Sequence, residues 1–401
     1  MVGFRKLAVL AGLLAPFGAA APVESAPVDI DHKFIITLKS NISEADIQSH
    51  LSWVEQVHKR SLGRRDLAGL EKTFNIADFH AYSGTFDDET IDELKNNPEV
   101  VSIEPEQIYT LSDFVSQPNA PWGLATLSSR RPGASTYWYH DSTGSGTYAY
   151  VVDSGIHIQH ADFGGRAARG YNAAGGAFED SLGHGTHVAG IIGGTTHGVA
   201  KAARLIDVKV FIGPSTSTSV ILSGISWAVN DALTNNRASR SVINLSLSGP
   251  LSAAWNNAIN AAHSVGVLSV VASGNDDVLA STRSPASAVN ALTVGAIDST
   301  WTEASFSNYG SAVDILAPGV DIRSLTTGTS TGTRLGSGTS MAAPHVAGLA
   351  LYLAVLENIN SPNALKARIH QLATVGAVRR LKPGSPNLIV YNGIALRGAL
   401  V

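Results

Sequence analysis

Gly338-Thr339-Ser340-Met341-Ala342-Ala343-Pro344-His345 runs directly into an apolar stretch at 346–356. That run is long enough for a buried helix, which puts Ser340 at or next to the helix N-terminus. Pro344 fits there, because first-turn N–H groups have no helical partner to lose. Unpaired N–H groups and the positive end of the helix dipole favour an anion at Ser340. A nucleophile whose reaction generates an oxyanion needs that environment. Serine is equally a preferred helix cap, so the octet alone leaves a structural cap and a reactive hydroxyl both open.

Upstream of the octet, strand-like and helix-like segments alternate. Strand-like runs fall at 148–152, 204–210, 241–247, 266–272, 291–296 and 313–316, and helical runs at 186–192, 217–235 and 251–264. Several strands are near-continuous Val/Ile/Leu, the pattern of a parallel sheet covered on both faces. The fold class expected is therefore α/β, a doubly wound, mostly parallel sheet, with a site outside the carboxyl ends of its strands. Asp153 closes the first of these strands. His184 stands between glycines in Gly183-His184-Gly185-Thr186-His187. A serine hydroxyl needs a base, and the base needs an acid to fix its tautomer and steady its cation. Asp153, His184 and Ser340 supply that set. Singly, each has a bland reading: an Asp after a strand is most often a turn former, and thirteen histidines are mostly structural.

The front of the chain is different. Arg5 and Lys6 precede an apolar run at 7–17 and then Gly18-Ala19-Ala20-Ala21, a signal-peptide layout with cleavage expected near Ala20 or Ala21. The run is too short to span a bilayer comfortably, and no later segment reads as a membrane span. After a Pro/Ala-rich linker, residues 32–111 read β-α-β-β-α-β: strand 32–39, helix 43–60 capped by Ser43, one or two strands in 72–86, helix 87–96 and strand 100–111. This is a small α+β domain with helices on one face of an antiparallel sheet. The proline-bearing stretch 112–121 marks its boundary. The expected organisation is a signal peptide at 1–20, a propeptide at 21–112 and a large domain at 113–401.

Composition sets outer limits. The 401 residues are 44% hydrophobic and 15% charged, with a net charge of −4 and no basic block. No nucleic-acid partner is expected. The absence of cysteine excludes disulfides and thiolate metal sites.

Three stretches carry a family resemblance: VVDSGI around Asp153, GHGTHVAG around His184 and GTSMAAPH around Ser340. They look like the three signatures of the subtilisin-like serine proteases, in the order Asp, His, Ser. APWGL at 120–124, SFSNYGS at 305–311 and SPASAVNALTVGA at 284–296 resemble the fungal secreted branch that includes proteinase K and the alkaline proteases. Val188 stands where proteinase K-like chains often carry cysteine, so the cysteine-free alkaline proteases are the nearer relatives.

The resemblance implies a secreted serine endopeptidase of broad specificity, acting on proteins as a monomer, with no membrane partner. By the same resemblance Ser340 is the nucleophile, His184 the general base and acid, and Asp153 its orienting carboxylate. Asn275 and the Ser340 N–H are the oxyanion donors. Ser246, Leu247, Ser248 and Gly249 form a substrate-binding edge. Glycine is usual where Ser248 stands, which puts the default preference for a large apolar residue before the scissile bond in question. The small domain resembles the propeptide inhibitor of these proteases: it assists folding, its last strand lies in the cleft as product, and self-cleavage is expected between about 111 and 117. A structural calcium is implied at Asp314 with the carbonyls of Val289 and Ala291.

Asn41-Ile42-Ser43 and Asn244-Leu245-Ser246 match the glycosylation sequon, the second in a strand expected to be too buried to modify. His184 and His187 invite a zinc reading, but no glutamate lies between them as in the zinc-protease helix motif. A silent binding protein on the same fold would bind peptides without turnover, and a dibasic processing enzyme would need acidic binding segments. The stretch 246–250 carries no charge.

Overall fold

The structure, a computed structural model, describes residues 30–61, 67–107 and 114–394. The expected signal peptide and residues 111–113 of the expected cleavage region lie outside them. The chain forms two compact units that divide between Leu111 and Ser112.

In the first unit β1 (Lys33–Leu38), α1 (Glu44–Arg60), β2 (Gly69–Ile76), β3 (Phe79–Thr85), α2 (Asp88–Lys95) and β4 (Val100–Pro105) follow the expected order. The strands form one antiparallel sheet in the order β2-β3-β1-β4. Ser43 caps α1 by accepting from the Asp46 N–H at 3.2 Å. Asp87 caps α2 from the Thr90 N–H at 2.9 Å. The apolar positions of both helices meet Ile36, Leu38, Tyr82 and Phe86 from the sheet in one core. The stretch 72–86 resolves into two strands, turned at Ala77, whose φ is 49°. β4 ends at Pro105, and residues 108–111 of the expected last strand lie outside the described residues.

The second unit is built on a nine-stranded sheet. Its strands are β5 (Tyr148–Asp153), β6 (Ala167–Asn172), β7 (Arg204–Lys209), β8 (Ser241–Leu245), β9 (Leu268–Ala272), β10 (Leu292–Ile297), β11 (Ile315–Pro318), β12 (Thr374–Val375) and β13 (Leu388–Ile389). Their order is β12-β13-β11-β10-β9-β8-β5-β7-β6. Every pairing is parallel except β12 with β13. β5 shows why the strand residues are apolar on both sides. Ala149 and Val151 enter one core with α3 (His184–Gly193) and α6 (Thr339–Leu356). Tyr150 and Val152 enter another with α4 (Thr218–Thr234) and α5 (Ala253–Ser264). A strand buried on both faces cannot alternate polar and apolar residues.

α6 is apolar all round because it is enclosed all round. By length and composition it could cross a membrane, but 83% of it is buried inside the protein. α7 (Pro362–Leu372) follows it and packs Leu365, Ile369 and Leu372 inward.

Candidate active site

The chain leaves β5 to build β6 and β7 on one side, then returns to build β8 and the remaining strands on the other. The order therefore reverses between β5 and β8, the place where open α/β sheets form their ligand crevice. Asp153 is the last residue of β5, and Ser246 follows the last residue of β8.

Asp153 is buried, and its Oδ1 accepts from the Ser154 N–H at 2.7 Å and from His184 Nδ1 at 2.7 Å. A carboxylate on Nδ1 fixes the imidazole tautomer with Nε2 free to accept a proton. Burial pulls the His184 pKa down, but the charge and hydrogen bond of Asp153, together with the charge of Asp180, outweigh it, and the net shift is upward from 6.5. His184 opens α3. Gly185 must follow, because a Cβ there would stand 2.2 Å from the Gly155 carbonyl oxygen.

Asp180, absent from the sequence expectations, holds this helix start. Its Oδ1 accepts from the N–H groups of Leu182 and Gly183 and from the Ser154 hydroxyl, and its Oδ2 from the Thr186 N–H and hydroxyl. The Ser154 hydroxyl in turn accepts from the Gly185 N–H at 2.9 Å. One buried carboxylate thereby links the strand bearing Asp153 to the helix bearing His184. Asp-x-x-Gly before a helix was the available signal, masked because the residue immediately before the helix is glycine. Buried Lys209 adds a second link, donating to the Ser154 carbonyl at 2.6 Å and to that of Glu179 at 2.8 Å.

Ser340 is the second residue of α6. Its hydroxyl donates to the Ser246 carbonyl at 2.9 Å, and among the described residues His184 Nε2 has no hydrogen-bond partner. Rotation about χ1 re-aims a serine hydroxyl, and such bonds are often loose until substrate is present. Pro344 corrects the expectation of a first-turn proline: it is the sixth residue of α6, inside the helix. Its missing N–H leaves the Ser340 carbonyl without a helical donor. The Ser246 hydroxyl supplies the replacement at 2.9 Å, and Asn244 donates to that same hydroxyl at 2.9 Å. The proline thus ties the serine to the β8 edge.

Asn275 projects beyond β9. Its Oδ1 accepts from the Thr339 N–H at 2.8 Å and from the Thr339 hydroxyl at 2.9 Å. The backbone donor settles which way the amide faces. Nδ2 then points away with no partner among the described residues, as does the Ser340 N–H. A Cβ on Gly338 would lie 3.4 Å from Asn275 Nδ2 and 3.7 Å from the Ser340 nitrogen. Two free donors therefore border one small space that only glycine leaves open.

Leu247 is buried, whereas Ser248 and Gly249 line the crevice. Gly249 and Pro250 pair antiparallel with Ser284 and Arg283. Ser248, Asn275, Asp276 and Arg283 border a hollow of about 380 Å³. Within it Arg283 Nε donates to Asp276 Oδ2 at 3.0 Å. A second hollow of about 390 Å³ extends from Asp153 and His184 past Leu182, Phe211, Pro214 and Leu247.

The family model for the subtilase family matches residues 144–389, and that for peptidase inhibitor I9 matches residues 33–112. The chain belongs to the subtilase family. It is a subtilisin-like serine endopeptidase with an N-terminal inhibitor propeptide domain. The subtilase is 51% identical to alkaline protease 1 of Emericella nidulans, over 98% of this chain and 99% of that one. It is 53% identical to the alkaline proteinase of Hapsidospora chrysogena, again over 98% and 99%. Among solved structures it resembles a cold-adapted subtilisin-like serine proteinase, with a TM-score of 0.64 and 37% identity over 68% of this chain and 98% of that chain.

Two site expectations remain. The zinc reading finds no ligand set. His187 Nε2 faces the carbonyls of Ile322 and Arg334 at 3.1 and 3.2 Å, so that nitrogen carries the proton, and among the described residues no group of three or more His, Asp or Glu side chains is placed to hold a metal. Burial lowers the His187 pKa to about 4. The calcium reading at Asp314, Val289 and Ala291 meets a lysine. Lys366 Nζ lies 2.7 Å from the Ala291 carbonyl and 2.9 Å from each oxygen of Asp314. Calcium needs the same oxygens at about 2.3–2.6 Å, so ion and ammonium cannot share the place. The residues present do not fit the metal.

Proposed function

We propose that this subtilase is an exported, broad-specificity endopeptidase made as a self-processing zymogen, with Ser340 as its nucleophile. The observation that carries the reading is the Asp153–His184 pair in one hollow with Ser246, whose carbonyl holds the hydroxyl of a serine at a helix N-terminus, with two unused N–H donors next to that serine. His184 Nε2 takes the Ser340 hydroxyl proton as Oγ bonds to the substrate carbonyl carbon. The tetrahedral oxyanion accepts from Asn275 Nδ2 and the Ser340 N–H. Losing one such donor typically costs about 10²–10³ in turnover. His184 then protonates the departing amine, and the C–N bond breaks to leave an acyl-enzyme. Water, deprotonated by His184, releases the acid and restores Ser340.

Substrate adds as an extended strand along 246–249, held mainly through backbone. The hollow beside Asn275 is walled by an internally neutralised ion pair, so it selects neither sign of charge. Away from Asp153 and His184, the second hollow is walled by the apolar side chains of Leu182, Phe211, Pro214 and Leu247. Residues 1–20 act as signal peptide and 21–112 as propeptide, and the I9 domain restrains the protease until it is cut away. Asn41, exposed before α1, is the sequon open to glycosylation, whereas Asn244 is fully buried.

A peptide-library digestion tests this reading. Cleavage after many residue types, with no requirement for paired basic residues, is expected. Cleavage confined to dibasic sites would overturn the broad-specificity reading in favour of a processing protease.

A further inference from the structure

The Lys366 ammonium has three N–H donors, and its three acceptors are the Ala291 carbonyl at 2.7 Å and the two Asp314 oxygens at 2.9 Å. That inventory is complete for a lysine. The acceptors are themselves held in place. Asp314 Oδ2 also accepts from the Thr293 N–H at 2.8 Å, and the Asp314 N–H donates to the Thr293 carbonyl at 2.9 Å. Ala291 immediately precedes β10, and Asp314 immediately precedes β11, its parallel neighbour. Lys366 reaches them from the second turn of α7, which Ser361 caps by accepting from the Ala364 N–H at 3.2 Å. The ion pair is only about one-fifth to one-quarter exposed.

We propose that Lys366 is a tethered cation that occupies the place of a structural calcium at this corner, joining the entries of β10 and β11 to α7. The corner therefore takes no calcium in the native chain. Removing the ammonium leaves the Ala291 carbonyl and the Asp314 carboxylate without their cation, oxygens of the kind a hard divalent cation takes. A carboxylate left without its cation also destabilises the fold, since the penalty of a partly buried charge is no longer offset.

The test uses mature enzyme blocked with a sulfonyl fluoride, so that autolysis does not contribute. Thermal midpoints are compared in EDTA and in millimolar calcium for wild type, Lys366→Ala, Asp314→Asn and the double variant. Wild type and Asp314→Asn are expected to show the same calcium response, because nothing at this corner binds the ion. Lys366→Ala is expected to melt several degrees lower than wild type in EDTA and to recover part of the loss in calcium. The double variant is expected to lose that extra recovery. A calcium-dependent rise in wild type that disappears in Asp314→Asn would show that calcium displaces Lys366 in the native chain, and would overturn the proposal. A Lys366→Ala protein whose calcium response equals that of wild type would overturn it equally. If Lys366→Ala does not fold, the comparison of wild type with Asp314→Asn still decides the matter.

Discussion

Ser340→Ala is expected to leave a folded, uncut proprotein that does not digest casein. The change removes one hydroxyl whose single hydrogen bond among the described residues is to the Ser246 carbonyl. The tie between the Ser246 hydroxyl and the Ser340 carbonyl runs through backbone and survives. Stability should therefore move by no more than about 1 kcal/mol, the net worth of one hydrogen bond. Chemistry suffers far more, because no acyl-enzyme forms without Oγ. For subtilisin itself, loss of the nucleophile costs about 2 × 10⁶ in kcat, and a loss of that order is expected here. Maturation should fail with it, since the same serine would cut the propeptide bond. Mass spectrometry of purified protein distinguishes the cases: wild type loses the segment up to about residue 112, and Ser340→Ala retains it. A Ser340→Ala preparation that matures and digests casein, free of other proteases, would remove Ser340 from its assigned role.

Asp153→Asn carries the second largest expected effect. The substitution keeps the shape of a buried side chain and removes its charge. An amide nitrogen turned toward His184 Nδ1 favours the tautomer whose Nε2 already carries a proton, so the base is lost; in the serine-protease triad such a change costs about 10⁴ in kcat. The pH profile provides an independent readout. His184 must be neutral to act, and against the opposing effect of burial Asp153, helped by the charge of Asp180, raises its pKa above 6.5. The acidic limb of kcat/KM in wild type should therefore fall above 6.5. In Asp153→Asn burial acts with less opposition, and the limb of the residual activity should move to lower pH. A limb that stays in place, or a kcat within tenfold of wild type, would show that Asp153 does not govern His184.

Much of this site was legible in the sequence because its parts are local. Asp153 ends an apolar strand, His184 stands among glycines, and Ser340 opens an apolar helix; each signal occupies a few adjacent residues. The three stretches also carry a family resemblance, so the roles came with the motifs. What was not legible depends on residues far apart in the chain. Lys366 meets acceptors 75 and 52 positions away, and nothing local distinguishes it from any helix-surface lysine. Asp180 looks like a loop carboxylate until the start of α3 folds over it. The place of Pro344 in its helix is not legible locally, because only the start of α6 fixes which carbonyl it leaves free, and only the fold brings Ser246 to that carbonyl. β6 gives no strand signal for a different reason. It is an edge strand with mixed polarity, and its register shifts between Arg169 and Tyr171. There a Cβ on Gly170 would lie 2.7 Å from Ile206. α7 was within reach: Ser361-Pro362 is a good helix start, and Leu365 and Ile369 share a face.

The central claim is that His184 activates Ser340 above all other serines of the chain. The most direct measurement treats mature wild type and His184→Ala propeptide-free protein with diisopropyl fluorophosphate and maps the modified peptide by mass spectrometry. One phosphoryl group on Ser340 in wild type is expected, with labelling lost in His184→Ala and activity falling in step with occupancy. Label on a different serine, or full activity with Ser340 quantitatively labelled, would contradict the account.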